Sequence, residues 1–132
     1  IIFFDLDHFK KLNDTYGHEC GDVVLSTFGK ILNKSVREHD IVGRYGGEEF
    51  VAIVHFNLNR ELLQFLKRIK TIVTENSFLY KEKKIKVTFS AGVAIRSSFD
   101  TYENTLQKAD MLLYQAKENG RNKIILENGM EI

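Results

Sequence analysis

Apolar residues in this chain switch repeatedly between a spacing of two and a spacing of three to four, which limits it to a sheet packed against helices. Residues 1–7 (Ile-Ile-Phe-Phe-Asp-Leu-Asp) form a short apolar run ending in acids, the pattern of a buried strand whose tail emerges at a sheet edge. Residues 9–16 are polar with apolar punctuation and stop at Gly17, which predicts a short helix. From Asp22 onward, Val23, Val24, Phe28, Ile31 and Leu32 recur at helical spacing as far as Val36. Residues 40–44 and 50–56 are strand-like, and Gly46-Gly47 between them signals a hairpin. Residues 58–76 set Leu62, Leu63, Phe65, Leu66, Ile69, Ile72 and Val73 on one helical face. Residues 83–95 alternate at Ile85, Val87, Phe89, Ala91, Val93 and Ile95, the period of a strand. Residues 102–118 are helical again, with Leu106, Ala109, Leu112, Leu113 and Ala116 on one side, and Asn119-Gly120 closes that helix. Residues 123–126 predict a last strand. Strands alternating with helices around one central hairpin predict an α/β to α+β fold with a mixed sheet. A ferredoxin-like core contains this split βαβ arrangement.

Composition narrows the class. The 132 residues suit one domain, and 43% hydrophobic content is enough for one packed core. With 19 basic and 18 acidic side chains the net charge is +1, which argues against disorder and against a broadly basic nucleic-acid surface. No nucleic-acid partner is expected. Cys20 is the single cysteine, so neither an internal disulfide nor a cysteine-based zinc site is available, and a cytoplasmic setting fits. No apolar run approaches the roughly 18 residues of a membrane span. The chain opens at Ile1, without an initiator methionine and already inside an apolar run, so it reads as a piece of a longer protein. An upstream sensor or dimerisation domain, and any membrane anchor of the parent, are expected outside it.

Four clusters carry candidate chemistry. Asp5 and Asp7 are two apart on a strand and share a face. Two carboxylates at a strand end suit a hard cation such as Mg²⁺, although a bare pair of this kind is often only a solvated strand end. Gly46-Gly47-Glu48-Glu49-Phe50 gives a tight turn with two acids just past its tip. If that hairpin lies beside the first strand, Glu48 faces Asp5 and completes a cluster able to hold metals, carry phosphates and activate a hydroxyl. Lys117 and Arg121 near the end of the last helix suit either the helix dipole or a phosphate clamp. Arg37-Glu38-His39-Asp40 is either a charged loop or a site where an arginine forks onto a guanine edge. Taken alone, Cys20 reads as inert and His18 as structural.

Together these elements are more specific than any one of them. Asp5-Leu6-Asp7-His8-Phe9-Lys10, followed by Asn13-Asp14, Gly17-His18 and Gly21-Asp22, resembles the opening signature of the GGDEF domain, the diguanylate cyclase family. Arg44-Tyr45-Gly46-Gly47-Glu48-Glu49-Phe50 resembles its naming motif in the Glu variant. Ser90-Ala91-Gly92-Val93-Ala94, Ala109-Asp110, Tyr114-Gln115-Ala116-Lys117 and Gly120-Arg121-Asn122 resemble its later landmarks, so the likeness runs from Ile1 to Ile125.

The resemblance implies a palm-type βαββαβ core with a mainly antiparallel sheet, and condensation of two GTP into cyclic di-GMP with release of two pyrophosphates. It implies Asp5, the Leu6 carbonyl and Glu48 as Mg²⁺ ligands, with two ions per GTP and Mn²⁺ as a substitute, and a lesser role for Asp7. Glu48, Glu49 and Lys10 form the implied catalytic set, with Glu48 taking the 3′-hydroxyl proton. Asn13, His18 and Asp22 match the guanine and ribose positions. Lys10, Lys117 and Arg121 match triphosphate contacts, and His8, Phe9, Gly46 and Gly47 line the substrate site. Arg37, Asp40 and, on the following helix, Arg68 match a product-binding inhibitory site. One GTP per domain implies a face-to-face homodimer. Relatives usually carry a helical segment with an Asp-x-Leu-Thr-Gly-Leu-type motif before the first strand. The sequence read here as a single GGDEF domain, 1–132, lacks it, and weaker GTP binding and slower turnover are expected in consequence. The competing expectation is a domain that turns nothing over and serves as a receptor for GTP or cyclic di-GMP.

Overall fold

The apolar opening run becomes β1 (Ile2–Leu6), buried along its whole length and central in a five-stranded sheet. The computed structural model describes residues 1–75 and 78–132. After β1 come α1 (Phe9–Tyr16) and α2 (His18–Ser35), then the hairpin strands β2 (Ile41–Arg44) and β3 (Glu49–Ile53), and α3 (Asn59–Glu75). A small hairpin, β4 (Phe78–Tyr80) and β5 (Lys83–Ile85), precedes β6 (Phe89–Val93), α4 (Tyr102–Glu118) and β7 (Ile124–Leu126). The main sheet runs β2-β3-β1-β6-β7. Neighbours are antiparallel except β6 and β7, which are parallel. Since β3 lies antiparallel between β1 and β2, those two strands run the same way, which is the split βαβ arrangement of a ferredoxin-like core.

Both faces of the sheet are covered. Ile2, Phe4 and Leu6 point to the side of α2 and α3 and join Val24, Phe28, Leu32, Leu66 and Ile69 in the larger core. Phe28 sits at its centre, with ring centroids 5.9 Å from Phe4, 5.1 Å from Phe50 and 5.6 Å from Phe89. Burying each such ring stabilises the fold by about 1.5–3 kcal/mol. Phe3 points the other way, into a smaller core with Ala94, just after β6, and with Ala109 and Leu113 of α4. Gly92 explains how closely α4 lies on the sheet: a side chain there would run into the Ala109 carbonyl and the Leu113 amide. That close approach brings the last turn of α4 over the end of β1.

The structure departs from the sequence pattern in four places. First, α2 begins at His18 rather than Asp22, because Cys20 and Gly21 are buried within its first turns and only Gly17, at φ 93°, breaks the chain. Second, the alternating stretch 83–95 is two strands, not one. Ile85 and Val87 both stay buried in the same core, so the alternation persists while β5 leaves the main sheet to pair with β4. Third, β4 carries no turn signal in sequence, since its hairpin turns through Lys81 and Glu82 at φ 48° and 67° rather than through glycine. Fourth, the strand expected over 50–56 starts one residue earlier and stops at Ile53, and α3 covers Asn59–Glu75 of the expected 58–76, residue 76 lying outside the described residues.

Candidate active site

The site is built where β1 ends. Asp5 is paired in register with Glu49 of β3 on one side and Ser90 of β6 on the other. It shares the α4 face of the sheet with Phe3 and is only 5% exposed. Lys117, in the last turn of α4, reaches across so that its Nζ donates to Asp5 Oδ2 at 2.7 Å. Burial pushes the Asp5 carboxyl above its ordinary range. The bond and charge of Lys117 oppose that shift, and nearby Glu48 and Asp7 add to it. Glu49 is pushed up likewise, first by burial, then by Asp5, with Lys117 opposing and Glu48 and Asp110 adding. Asp5, Glu48 and Glu49 thus feel one another's charge around the Lys117 ammonium.

The hairpin that supplies the glutamates is held by Arg44. Its Nε donates to the carbonyls of Gly46 (3.2 Å) and Gly47 (3.0 Å), and a terminal nitrogen donates to Gly47 at 2.7 Å. The Tyr45 amide donates to the Glu49 carbonyl at 2.8 Å, and the Leu6 amide to the Glu48 carbonyl at 3.2 Å. A Cβ at Gly46 would lie 2.5 Å from Glu49 Oε1, so a side chain there would push the Glu49 carboxylate aside. The sequence reading put Glu48 opposite Asp5. The register puts Glu49 there, because β3 begins at Glu49, while Glu48 lies one step beyond, tied to β1 through its carbonyl. Sequence reading gave Arg44 no role, although an arginine two residues before a double-glycine turn is placed to bond the turn's free carbonyls.

Asp5 and Asp7 share a face but not an environment. Asp7 accepts from Thr88 Oγ1 at 2.7 Å, Ser90 Oγ at 2.6 Å and the Asn122 amide at 3.0 Å. Both of its oxygens are engaged by neighbours on the chain, whereas Asp5 meets the Lys117 ammonium, so the two acids of the D-x-D pattern are held differently. The oxygen donors Asp5, Glu48 and the Leu6 carbonyl suit a hard divalent cation that keeps part of its water shell. Among the described residues no three His, Cys, Asp or Glu side chains converge to cage an ion. The Lys117 ammonium on buried Asp5 marks where positive charge is favoured.

Helices α1 and α2 carry the other predicted positions. His8, in the left-handed region at φ 55°, starts α1 and is exposed, as is Lys10, which makes no ion pair among the described residues. Phe9 is half-buried. Asn13 fills the space that a side chain at Gly21 would need, and its Oδ1 is buried without a hydrogen-bond partner among the described residues. Asp22 follows directly, exposed on α2 one turn after exposed His18 and lining a groove of about 340 Å³ with Ser26, Arg44 and Phe50. Arg121 and His8 line a second groove of about 520 Å³ with Lys11 and Lys86. Cys20 is buried, and burial pushes its thiol up, in keeping with an inert side chain.

Arg37, Asp40 and Arg68 meet away from this site, around a pocket of about 230 Å³. The Arg37 guanidinium lies 5.2 Å from the Phe56 ring and that of Arg68 lies 5.7 Å from Phe65, with the two rings 5.2 Å apart. Arg68 also donates to the Ser35 carbonyl at 3.3 Å. Asp40 differs from expectation. Its side chain is 1% exposed and accepts from the amides of Arg37 (2.9 Å) and His55 (3.2 Å), so it pins the loop. The aromatic floor of Phe56 and Phe65 was not legible as part of a site, because both residues also fit the apolar pattern of the core.

Fold and site define a nucleotide-cyclase-like domain. Residues 1–123 match the family described as "Diguanylate cyclase, GGDEF domain". Diguanylate cyclase A of Treponema denticola is 39% identical over 127 residues, covering 96% of this chain and 34% of that protein. Diguanylate cyclase DgcS of Shewanella oneidensis is 43% identical over 122 residues, covering 92% of this chain and 40% of that protein. The chain thus spans well under half the length of these relatives. The crystal structure of the GGDEF domain of DgcB from Caulobacter crescentus in complex with c-di-GMP superposes with a TM-score of 0.82 at 27% identity, covering 95% of this chain and 75% of that one. The chain belongs to the GGDEF domain family. Members with diguanylate cyclase activity generally use divalent metal ions. Among the described residues no helix is long and apolar enough to cross a membrane.

Proposed function

We propose that this chain is the output domain of a diguanylate cyclase, one GGDEF unit that condenses GTP into cyclic di-GMP together with a second copy. The observation that carries the reading is the Lys117–Asp5 pair beside Glu48 and Glu49 at the end of β1. It joins a cation-binding carboxylate and a phosphate-binding ammonium in one small volume. Each domain binds one GTP. Asp22 accepts from guanine N1–H and N2–H, which adenine does not offer, and Asn13 and His18 complete the contacts to the same base or its ribose. Phe9 packs beneath, and His8 and the Gly46-Gly47 turn let the phosphates approach the backbone. Lys10, Lys117 and Arg121 hold the triphosphate.

Asp5, Glu48 and the Leu6 carbonyl would hold Mg²⁺, two ions per GTP, with Mn²⁺ as a substitute. When bound, these ions lower the pKa of the attacking hydroxyl and offset charge on the leaving pyrophosphate. The 3′-oxygen of one GTP then attacks the α-phosphorus of the other. Its proton passes to Glu48, with Glu49 in support, and the bond to the β-phosphate oxygen breaks. Lys117, released from Asp5, stabilises the negative charge that leaves with pyrophosphate. A second attack in the opposite sense closes the ring, so two domains must meet face to face.

Product inhibition uses the second pocket. Arg37 forks onto a guanine edge of cyclic di-GMP while Arg68 contacts the other half, both pre-oriented over aromatic rings. Asp40 holds the loop that carries Arg37. The complex of a related GGDEF domain with c-di-GMP supports product binding as a property of such domains. Because GTP is a cytoplasmic nucleotide, the domain works in the cytoplasm, under an upstream sensor or dimerisation domain of the parent. Incubation with GTP and Mg²⁺, following pyrophosphate and the cyclic dinucleotide, tests the reading. Tight cyclic di-GMP binding with no product would make the chain a receptor instead.

A further inference from the structure

We propose that Asp7 is a positioning residue, one that sets Arg121 in the triphosphate clamp by holding the turn between α4 and β7. The inference rests on the reading above for what Arg121 binds. Helix α4 ends in a Schellman motif. The Arg121 amide donates to the Ala116 carbonyl at 2.9 Å and the Gly120 amide to the Lys117 carbonyl at 3.4 Å, with Gly120 at φ 106°. That motif needs only the glycine to be left-handed. Here Arg121 and Asn122 follow at φ 64° and 50°, two further residues in a region that side chains with a Cβ avoid. The helix end does not account for them, so something beyond it must hold them.

Asp7 does. Its Oδ2 accepts the Asn122 amide at 3.0 Å, a bond between positions 115 residues apart in the chain. Thr88 Oγ1, just before β6, and Ser90 Oγ, within it, fix the carboxylate at 2.7 Å and 2.6 Å, and the Asp7 amide donates to the Thr88 carbonyl at 3.0 Å. The tether therefore runs from the end of β1 through β6 to the turn, and it delivers Arg121 to the groove it lines with His8 at the start of α1. Asp5 and Asp7, two residues apart, thus serve opposite ends of one phosphate chain: Asp5 by holding Lys117 and a cation, Asp7 by aiming Arg121. The carboxylate accepts three hydrogen bonds here, two from hydroxyls that can rotate and one from the Asn122 amide, which can only donate. Asparagine keeps the Asn122 bond by turning its N–H₂ to the Ser90 hydroxyl, which accepts as well as donates, whereas alanine removes every acceptor.

The test is a double-mutant cycle read by GTP affinity at equilibrium and by amide exchange at Asn122. Asp7→Ala is expected to weaken GTP binding about tenfold, the scale of one charge-assisted phosphate contact, to speed exchange of the Asn122 amide, and to leave the half-saturating Mg²⁺ concentration unchanged. In an Arg121→Ala background the same substitution should change GTP affinity less than about twofold. Thr88→Val, which removes one donor and spares the carboxylate, should act in the same direction more weakly and also vanish in that background, and it serves if Asp7→Ala does not fold. A tenfold loss in both backgrounds, or a shifted Mg²⁺ requirement, would overturn the proposal and return Asp7 to a structural or metal-binding role. A wild-type domain that binds no GTP would instead overturn the reading on which the proposal rests.

Discussion

Lys117 and Asp5 are 112 positions apart in sequence and 2.7 Å apart in space, an ion pair that closes the end of α4 onto the end of β1. Asp5 is nearly buried and Lys117 about one-third exposed. The pair is uneven: the carboxylate bears the desolvation and the ammonium keeps part of its water.

That unevenness predicts a trade of stability for function. The Asp5 carboxyl is raised above its unfolded value, chiefly by burial. A raised acid stabilises the fold below its unfolded pKa, and that stabilisation is lost as pH rises through the folded one. At neutral pH the ionised group is therefore a net cost, and Asp5→Asn should raise the denaturation midpoint of the metal-free protein at pH 7. The advantage should shrink as pH falls toward the ordinary aspartate range of about 4. Urea melts at several pH values measure it, and a mutant less stable than wild type at pH 7 would mean that the Lys117 bond outweighs burial.

Divalent cations should reverse the order. Mg²⁺ added with GTP should raise the melting temperature of the wild type, because a ligand that binds only the folded state stabilises it. Asp5→Asn should gain much less. Equal gains would take Asp5 out of the cation site.

Gly92 is predicted to be intolerant for a reason local to α4. A side chain there meets the Ala109 carbonyl and the Leu113 amide, which are backbone and cannot rotate away. Gly92→Val should cost about 1–3 kcal/mol or more, the range for overpacking, and should weaken GTP binding, since Lys117 and Arg121 ride on the displaced helix end. Calorimetric unfolding and nucleotide titration of the same variant check both halves.

The inhibitory pocket separates recognition from support. Arg37→Ala should abolish inhibition by cyclic di-GMP with a stability change within about 0.5 kcal/mol, as for an exposed side chain. Asp40→Ala should abolish it too, but with a loss of about 1–3 kcal/mol, because it strips acceptors from the Arg37 and His55 amides. If Asp40→Ala leaves stability unchanged, the loop does not depend on that carboxylate.

How much of this was legible in the sequence follows from what each signal depends on. The strands, helices and central hairpin were readable because burial imposes a period, and Ile2, Phe4 and Leu6 obey it. The site elements were readable as residue types at strand and helix ends. Their pairing was not. Asp5 and Asp7 look equivalent in a D-x-D pattern, and only Thr88, Ser90 and Asn122, distant in the chain, set them apart. The choice between Glu48 and Glu49 opposite Asp5 turned on a one-residue register that a glycine pair does not fix. The β4–β5 hairpin was hidden because Ile85 and Val87 keep alternating while the ladder breaks beneath them.

The central claim is that the carboxylates at the end of β1 and beyond the Gly46-Gly47 turn work on one GTP. Its most direct measurement is the rate of pyrophosphate release from GTP and Mg²⁺ by the wild type and by Glu48→Gln, with the cyclic dinucleotide quantified in parallel. The wild type should release two pyrophosphates for each cyclic di-GMP formed, and Glu48→Gln should turn over at least about a hundredfold more slowly, as expected when a general base is removed. A variant that turns over at the wild-type rate, or pyrophosphate release without the cyclic product, would contradict the claim.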